Sequence, residues 1–269
     1  YQRRLPVSST KRIITARLLD RGGSPRLDTI VELAVIAVAS FVNTLTGFGF
    51  ALVAVPGLGL VADAKTAVVL TPILYAVLAP FFLWSARSEI DGPLFKSLML
   101  SSLPGLPVGT VVLVLIDEGV LRLLIGVVVV FVAILMLADF QRPIRNRRAP
   151  IVVGFVTGVL TTSITVSGPL VVLFMANQGL LKAQLRATVG VFLLGMMPVS
   201  IALYAAAGLI TAPTLLTALK LWPALAAGYL LALRAIPRVN QTVFRRMTIG
   251  LVLFAGFSMM SSGFGQVLG

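Results

Sequence analysis

A chain of 269 residues that is 58% hydrophobic and 12% charged, with a mean hydropathy of +1.03, is excluded from the ordinary soluble globules, which carry about a quarter of their residues charged. Its net charge of +13 sits in clusters that flank or join apolar stretches, the pattern of cytoplasmic loops beside a membrane and not of a nucleic-acid surface. The absence of Cys and His removes disulfides, thiolate or imidazole zinc sites, axial-His haem and every Ser–His or Cys–His nucleophile pair.

In chain order, residues 1–29 read as a basic arm carrying Arg3, Arg4, Lys11, Arg12, Arg17, Arg21 and Arg26. Its stretch from Lys11 to Asp20 is amphipathic and suited to anionic lipid. Apolar runs near the bilayer-spanning length of roughly 20 residues follow at 30–61, 66–85, 95–116, 119–138, 151–178, 187–207, 213–233 and 247–262. The fold class is therefore all-α, a polytopic helical membrane protein. Two runs, 30–61 and 151–178, exceed one span and are interrupted, at Thr46-Gly47-Phe48-Gly49 and at Thr165-Val166-Ser167-Gly168-Pro169. Between the halves, residues 139–150 form a basic loop with Arg142, Arg145, Arg147 and Arg148, assigned to the cytoplasm.

The two interruptions fall at corresponding places because the hydrophobic part is written twice, about 120 residues apart. Ile90-Asp91-Gly92-Pro93 recurs as Ile210-Thr211-Ala212-Pro213, Trp84 falls opposite Tyr204, and Ala67 opposite Ala187. One step out of phase, Gly49-Phe50 matches Gly168-Pro169, and Asn43-Thr44 matches Thr162-Ser163. The chain divides accordingly into the arm, a first membrane repeat over 30–138, the 139–150 loop and a second repeat over 151–269.

Charge sets the expected topology. The Asp117-Glu118-Gly119 connection is acidic, while its counterpart carries Arg234, Arg238, Arg245 and Arg246, so equivalent loops face opposite sides and the repeats are inverted. Inversion needs an odd number of crossings per half, so the first block of each is expected to be a broken or hairpin helix. The competing arrangement, eight full spans in two parallel repeats, keeps the basic arm inside but leaves Arg234–Arg246 outside.

A half-helix that starts after a break points unpaired N–H groups and its positive dipole end at the break, which binds oxyanions without a buried Lys or Arg. Candidate binding residues around the first break are Asn43, Thr44, Thr46, Gly47, Phe48 and Gly49. Around the second they are Thr161, Thr162, Ser163, Thr165, Ser167 and Gly168. Small polar residues also serve close helix contacts, which is the competing reading of each. Lys220, inside the 213–233 run, is a candidate anion contact, and Glu32 a candidate coupling carboxylate, each set against an interfacial role. Trp84, Tyr204 and Trp222 fit interfacial belts or packing, with a gating role open to the Trp84/Tyr204 pair, and Pro56, Pro72, Pro80, Pro104, Pro107, Pro198 and Pro223 fit kinks or helix ends.

The halves resemble the sulfite exporter TauE/SafE family of duplicated four-segment permeases, over about 30–262. The resemblance is carried by Gly47-Phe48-Gly49-Phe50 with Val55-Pro56, Ala67 and Ile90-Asp91-Gly92, then by Gly154 to Gly168, Ala187 and Gly208-Leu209-Ile210. It implies movement of sulfite, organosulfonates or related sulfur oxyanions across a multi-pass (inner) cell membrane. Duplication and paired breaks point independently to a secondary transporter working by alternating access between repeats. A passive anion channel or a carrier of small carboxylates remains the alternative. No P-loop is present for ATP-driven transport. An enzyme is not expected, since only Thr217 stands at helical spacing from Lys220. The expected partners are a small anionic solute and membrane lipid, with no cofactor and no nucleic acid, and a homo-oligomer is compatible with the sequence.

Overall fold

In the computed structural model, the described residues are 25–86, 91–137, 148–178, 180, 182–235 and 241–268. They form eleven helices and no strand. These are α1 (Pro25–Thr46), α2 (Phe50–Val61), α3 (Ala64–Ala86), α4 (Gly92–Ser102), α5 (Gly105–Leu115), α6 (Glu118–Leu137), α7 (Ala149–Ser163), α8 (Gly168–Ala176), α9 (Lys182–Ala206), α10 (Ala212–Ala235) and α11 (Gln241–Leu268). Helix is what an apolar chain must adopt where no water can satisfy its backbone. The buried hydroxyls obey the same demand. Thr44, Thr71, Thr110, Ser163 and Ser200 each donate to the carbonyl four residues back.

Among the described residues, five helical windows are long and apolar enough to cross a membrane: Leu27–Thr46, Glu118–Leu135, Ala187–Ala206, Ala212–Ala235 and Arg246–Val267. Counted together as one span, α4 and α5, bent by 42°, would make a sixth. Leu216 and Leu219 on α10 and Phe254 and Phe257 on α11 stand exposed, an outer surface fit for lipid.

The apolar runs correspond to these helices. The 95–116 run, where Pro104 was expected to kink or end a helix, breaks at Leu103-Pro104, where proline cannot supply its N–H to the helix. Residues 25–29 are the first turn of α1, and Ala149-Pro150 opens α7, with Pro150 where a helix start leaves the N–H unpaired anyway. The Lys11–Asp20 stretch and residues 139–147 lie outside the described residues, as does the side chain of Trp84.

The first block is a hairpin. A side chain at Gly49 would strike Val42 and one at Gly57 would strike Val35, so α2 turns back along α1. The second block splits into α7 and α8 across residues 164–167.

Glycine lets several pairs approach backbone to backbone. Gly154 faces Leu98 and Ser101, Gly158 faces Ser102 and Gly105, and Gly109 faces Thr162, so α7 runs alongside α4 and α5 in the same direction. Gly228 of α10 abuts Ala37 of α1, and Ser40 Oγ donates to Leu225 O at 2.7 Å. The longest seam joins α6 to α11, antiparallel, with Gly119 against Gln266 and Gly126 against Met260. Across the halves α3 also packs on α9, α2 on α11 and α3 on α10.

Two clusters mark opposite ends of the bundle. At one, Asp91 Oδ1 accepts from Leu94 N at 3.0 Å and caps α4, while Asp91 N donates to Thr188 Oγ1 of α9 at 3.1 Å. At the other, Glu118 and Arg122 of α6 meet the end of α2, the start of α3 and Ser262 near the end of α11.

Candidate functional site

The two interruptions close on one cavity of about 20 Å³, enough for a single water molecule. From the first come Phe48, Phe50 and Ala51, and from the second Thr165, Ser167 and Gly168. Thr71 and Tyr75 of α3 and Leu193 and Met197 of α9 complete the wall. The breaks touch: Phe48 O lies 3.1 Å from where a side chain at Gly168 would begin. At 1.5 Å rise per residue, α2 with 12 residues puts the cavity about 18 Å from one end of the bundle. By the same measure α7 with 15 residues puts it about 22 Å from the other. For a hydrocarbon layer of about 30 Å, that is near the middle.

At the first break the chain satisfies its own donors locally. Gly47 turns through φ 89°, left-handed backbone that glycine adopts without strain, and donates to Asn43 O at 2.6 Å. Thr46 Oγ1 accepts from Gly49 N at 3.1 Å and Phe48 N at 3.4 Å while donating to Val42 O at 2.9 Å. Asn43 Oδ1 accepts from Phe50 N at 3.3 Å, capping α2 from seven residues away. Asn43 is fully buried; its Nδ2 makes no standard hydrogen bond and lies beside the Tyr75 side chain. Phe50 packs on Tyr75 with ring centroids 5.6 Å apart. A new helix leaves its first N–H groups without in-helix partners, and Ala51, in that turn, lines the cavity.

The second break is more polar. Thr165 holds φ 61°, a left-handed conformation that is a strained outlier for a β-branched residue. Its Oγ1 donates to Val68 O at 3.1 Å. That carbonyl is available because Pro72, four residues on, has no N–H to give it. The Thr161 and Ser167 hydroxyls lie 2.7 Å apart, and Thr161 Oγ1 is also 2.7 Å from Thr157 O. Tyr204 Oη donates to Thr162 O at 2.8 Å, closing the freed end of α7.

Of the residues expected to bind, Phe48, Thr165, Ser167 and Gly168 line the cavity. Asn43, Thr46, Gly47, Gly49 and Thr161 stand behind it as caps, turns and hydrogen-bond partners. Three point elsewhere. Thr44 and Ser163 donate to their own helices, and Thr162 Oγ1 donates to Leu106 O of α5 at 2.6 Å. Lys220 is exposed on α10, within electrostatic range of Glu32 on α1, and neither lines the cavity. Of the aromatics expected in interfacial belts or in packing, Tyr204 is fully buried at the second break, whereas Trp222 is exposed.

Sequence reasoning missed Phe50, Ala51, Thr71, Tyr75, Leu193 and Met197 as wall residues, and Arg122 altogether. The usable signal was Thr71-Pro72, a proline beside a hydroxyl in the helix after the first break. In comparisons with known proteins, the family model described as Sulfite exporter TauE/SafE matches residues 32–259. No curated protein and no solved structure matches the chain.

Proposed function

The chain belongs to the sulfite exporter TauE/SafE family, a family of membrane transporters, and on that premise we propose that it is a secondary carrier of small anions, sulfite or an organosulfonate first among them. The observation that carries this reading is the single cavity on which both interrupted segments close. Its donors are hydroxyls and the N–H groups of a helix start, which suit the oxygens of a sulfonate or sulfite. Ser167 and the Ala51 N–H in the first turn of α2 take the anionic head, Thr165 shapes the wall while its hydroxyl donates to Val68 O, and Asn43 stands behind them beside Tyr75. Phe48, Phe50, Leu193 and Met197 face the rest of the solute. Lys220 acts from outside this cavity, as the electrostatic partner of Glu32.

The two-repeat, inverted reading is supported by the exchange of partners. The opening helix α1 of the first half lies along α10 of the second, and α7, opening the second half, lies along α4 and α5 of the first. The pairs α3 with α9 and α6 with α11 join like to like. On this reading 30–138 and 151–269 are the repeats, and the basic connections at 139–150 and 234–246 face the cytoplasm. The acidic connection at Asp117 then faces outside an inner membrane. A cavity of about 20 Å³ is too tight for a four-atom anion, so the halves must move apart around the site to admit it.

Counterflow in proteoliposomes tests the proposal, with vesicles loaded in turn with sulfite, two-carbon sulfonates, sulfate and small carboxylates. Saturable exchange accelerated by a sulfur oxyanion is expected. Exchange confined to carboxylates would change the solute class, unitary conductance would make the protein a channel, and no exchange from folded protein would refute carriage.

A further inference from the structure

Arg122 is the one fully charged side chain among the described residues that is buried, at 3% exposure, and none of the site chemistry above uses it. It lies on α6 and reaches the C-terminal end of α2. Nη1 donates to Gly59 O at 2.5 Å and to Ser262 Oγ at 3.3 Å, and Nη2 donates to Ala62 O at 3.0 Å. Glu118, one turn earlier, accepts from Arg122 Nε at 3.0 Å, and its Oε1 also accepts from Ala64 N at 2.5 Å. The guanidinium thus meets carbonyls that a helix end leaves without partners, at the negative end of the α2 dipole. The carboxylate serves the opposite need at the start of α3. One ion pair fastens the α2–α3 corner to α6 and, through Ser262, to α11.

The other end of α2 is the cavity. The helix runs unbroken from Phe50 to Val61 with Pro56 inside it, so a shift of its last turn is passed to its first. We propose that Arg122 is a positioning residue for the anion site: by clamping Gly59 and Ala62, it sets where Ala51, in the first turn of α2, meets the cavity. This rests on the carrier reading for its functional consequence, although the displacement it predicts is structural. Lysine cannot replace the fork, since an ammonium lacks the planar set of donors that spans both carbonyls and Glu118 at once.

The chain has no cysteine, so a single one placed at Ala51 reports on the cavity without further changes. Labelling of Ala51→Cys by a small methanethiosulfonate reagent is compared in otherwise unchanged protein and with Arg122→Lys. Arg122→Lys is expected to alter the labelling rate at least fivefold in folded, monodisperse protein. In vesicles it is expected to raise the sulfite or sulfonate concentration for half-maximal flux at least fivefold while the maximal rate stays within twofold. A purely structural role would lower the yield of folded protein and leave half-saturation of the surviving fraction unchanged, and that result overturns the proposal. Should Arg122→Lys fail to fold, Glu118→Gln is read in the same two ways, with unchanged labelling and half-saturation again decisive against it. If the unsubstituted protein exchanges no anion, the carrier reading falls, while the labelling comparison still decides the positioning of α2.

Discussion

Thr165 offers the sharpest test of how the second break is held. Its left-handed backbone costs roughly 1–2 kcal/mol for a residue with a side chain. Its hydroxyl recovers part of this by donating to Val68 O, a bond worth about 1 kcal/mol net. Thr165→Val keeps the strain, removes the bond and leaves a buried carbonyl that Pro72 prevents the helix from satisfying. The expected loss is about 1–3 kcal/mol, the cost of an unsatisfied buried acceptor. Pro72→Ala should change that figure, because the restored N–H at position 72 gives Val68 O an in-helix partner. Thr165→Val should then cost about 1 kcal/mol less in the Pro72→Ala background than alone. Thermal or denaturant unfolding of the four proteins in detergent measures the coupling. Thr165→Asn, which tolerates left-handed backbone and keeps a donor, should sit near the parent. Equal costs of Thr165→Val in both backgrounds would refute the link between Pro72, Val68 and Thr165.

Two further outcomes follow from the packing and the hydrogen bonds. Gly158→Val should abolish recovery of monodisperse protein, because its side chain would meet the Ser102 carbonyl and Gly105 backbone, whereas Gly190→Ala, with nothing within 4 Å, should be recovered normally; size-exclusion profiles compare them. Ser167→Ala should raise the half-saturating anion concentration several-fold, while Ser163→Ala, whose hydroxyl serves only Val159 O, should shift it less than twofold. Anion titration of vesicle flux separates these two serines.

The helices were legible because apolar length dictates them, and the interruptions because Gly47 and the Ser167-Gly168-Pro169 run announce themselves locally. What escaped depends on contacts between distant segments. Nothing in the neighbourhood of Thr165 tells that its hydroxyl answers a proline 93 positions earlier, and that pairing exists only once α3 lies beside the second break. Arg122 hid for a related reason. Beside Leu121 and Leu123 it reads as a side chain reaching for the interface, and its spacing of four from Glu118 reads as an ordinary helical pair. The carbonyls that make it a clamp belong to residues 59 and 62. The break at Leu103-Pro104 was legible as a kink or helix end at Pro104, although the length of the 95–116 run lets it pass for one span.

The apolar part of the cavity wall has an electrical meaning. A membrane that stores energy as voltage loses about 2.3 kcal/mol for every elementary charge that slips across 100 mV, and a thread of water through interrupted helices would be such a leak. Phe48, Phe50, Tyr75, Leu193 and Met197 surround a space too small for that thread. The same side chains that would cradle a solute's carbon atoms leave room there for a single water, and a path closed in that way is what would let a carrier sit in an energised bilayer without discharging it.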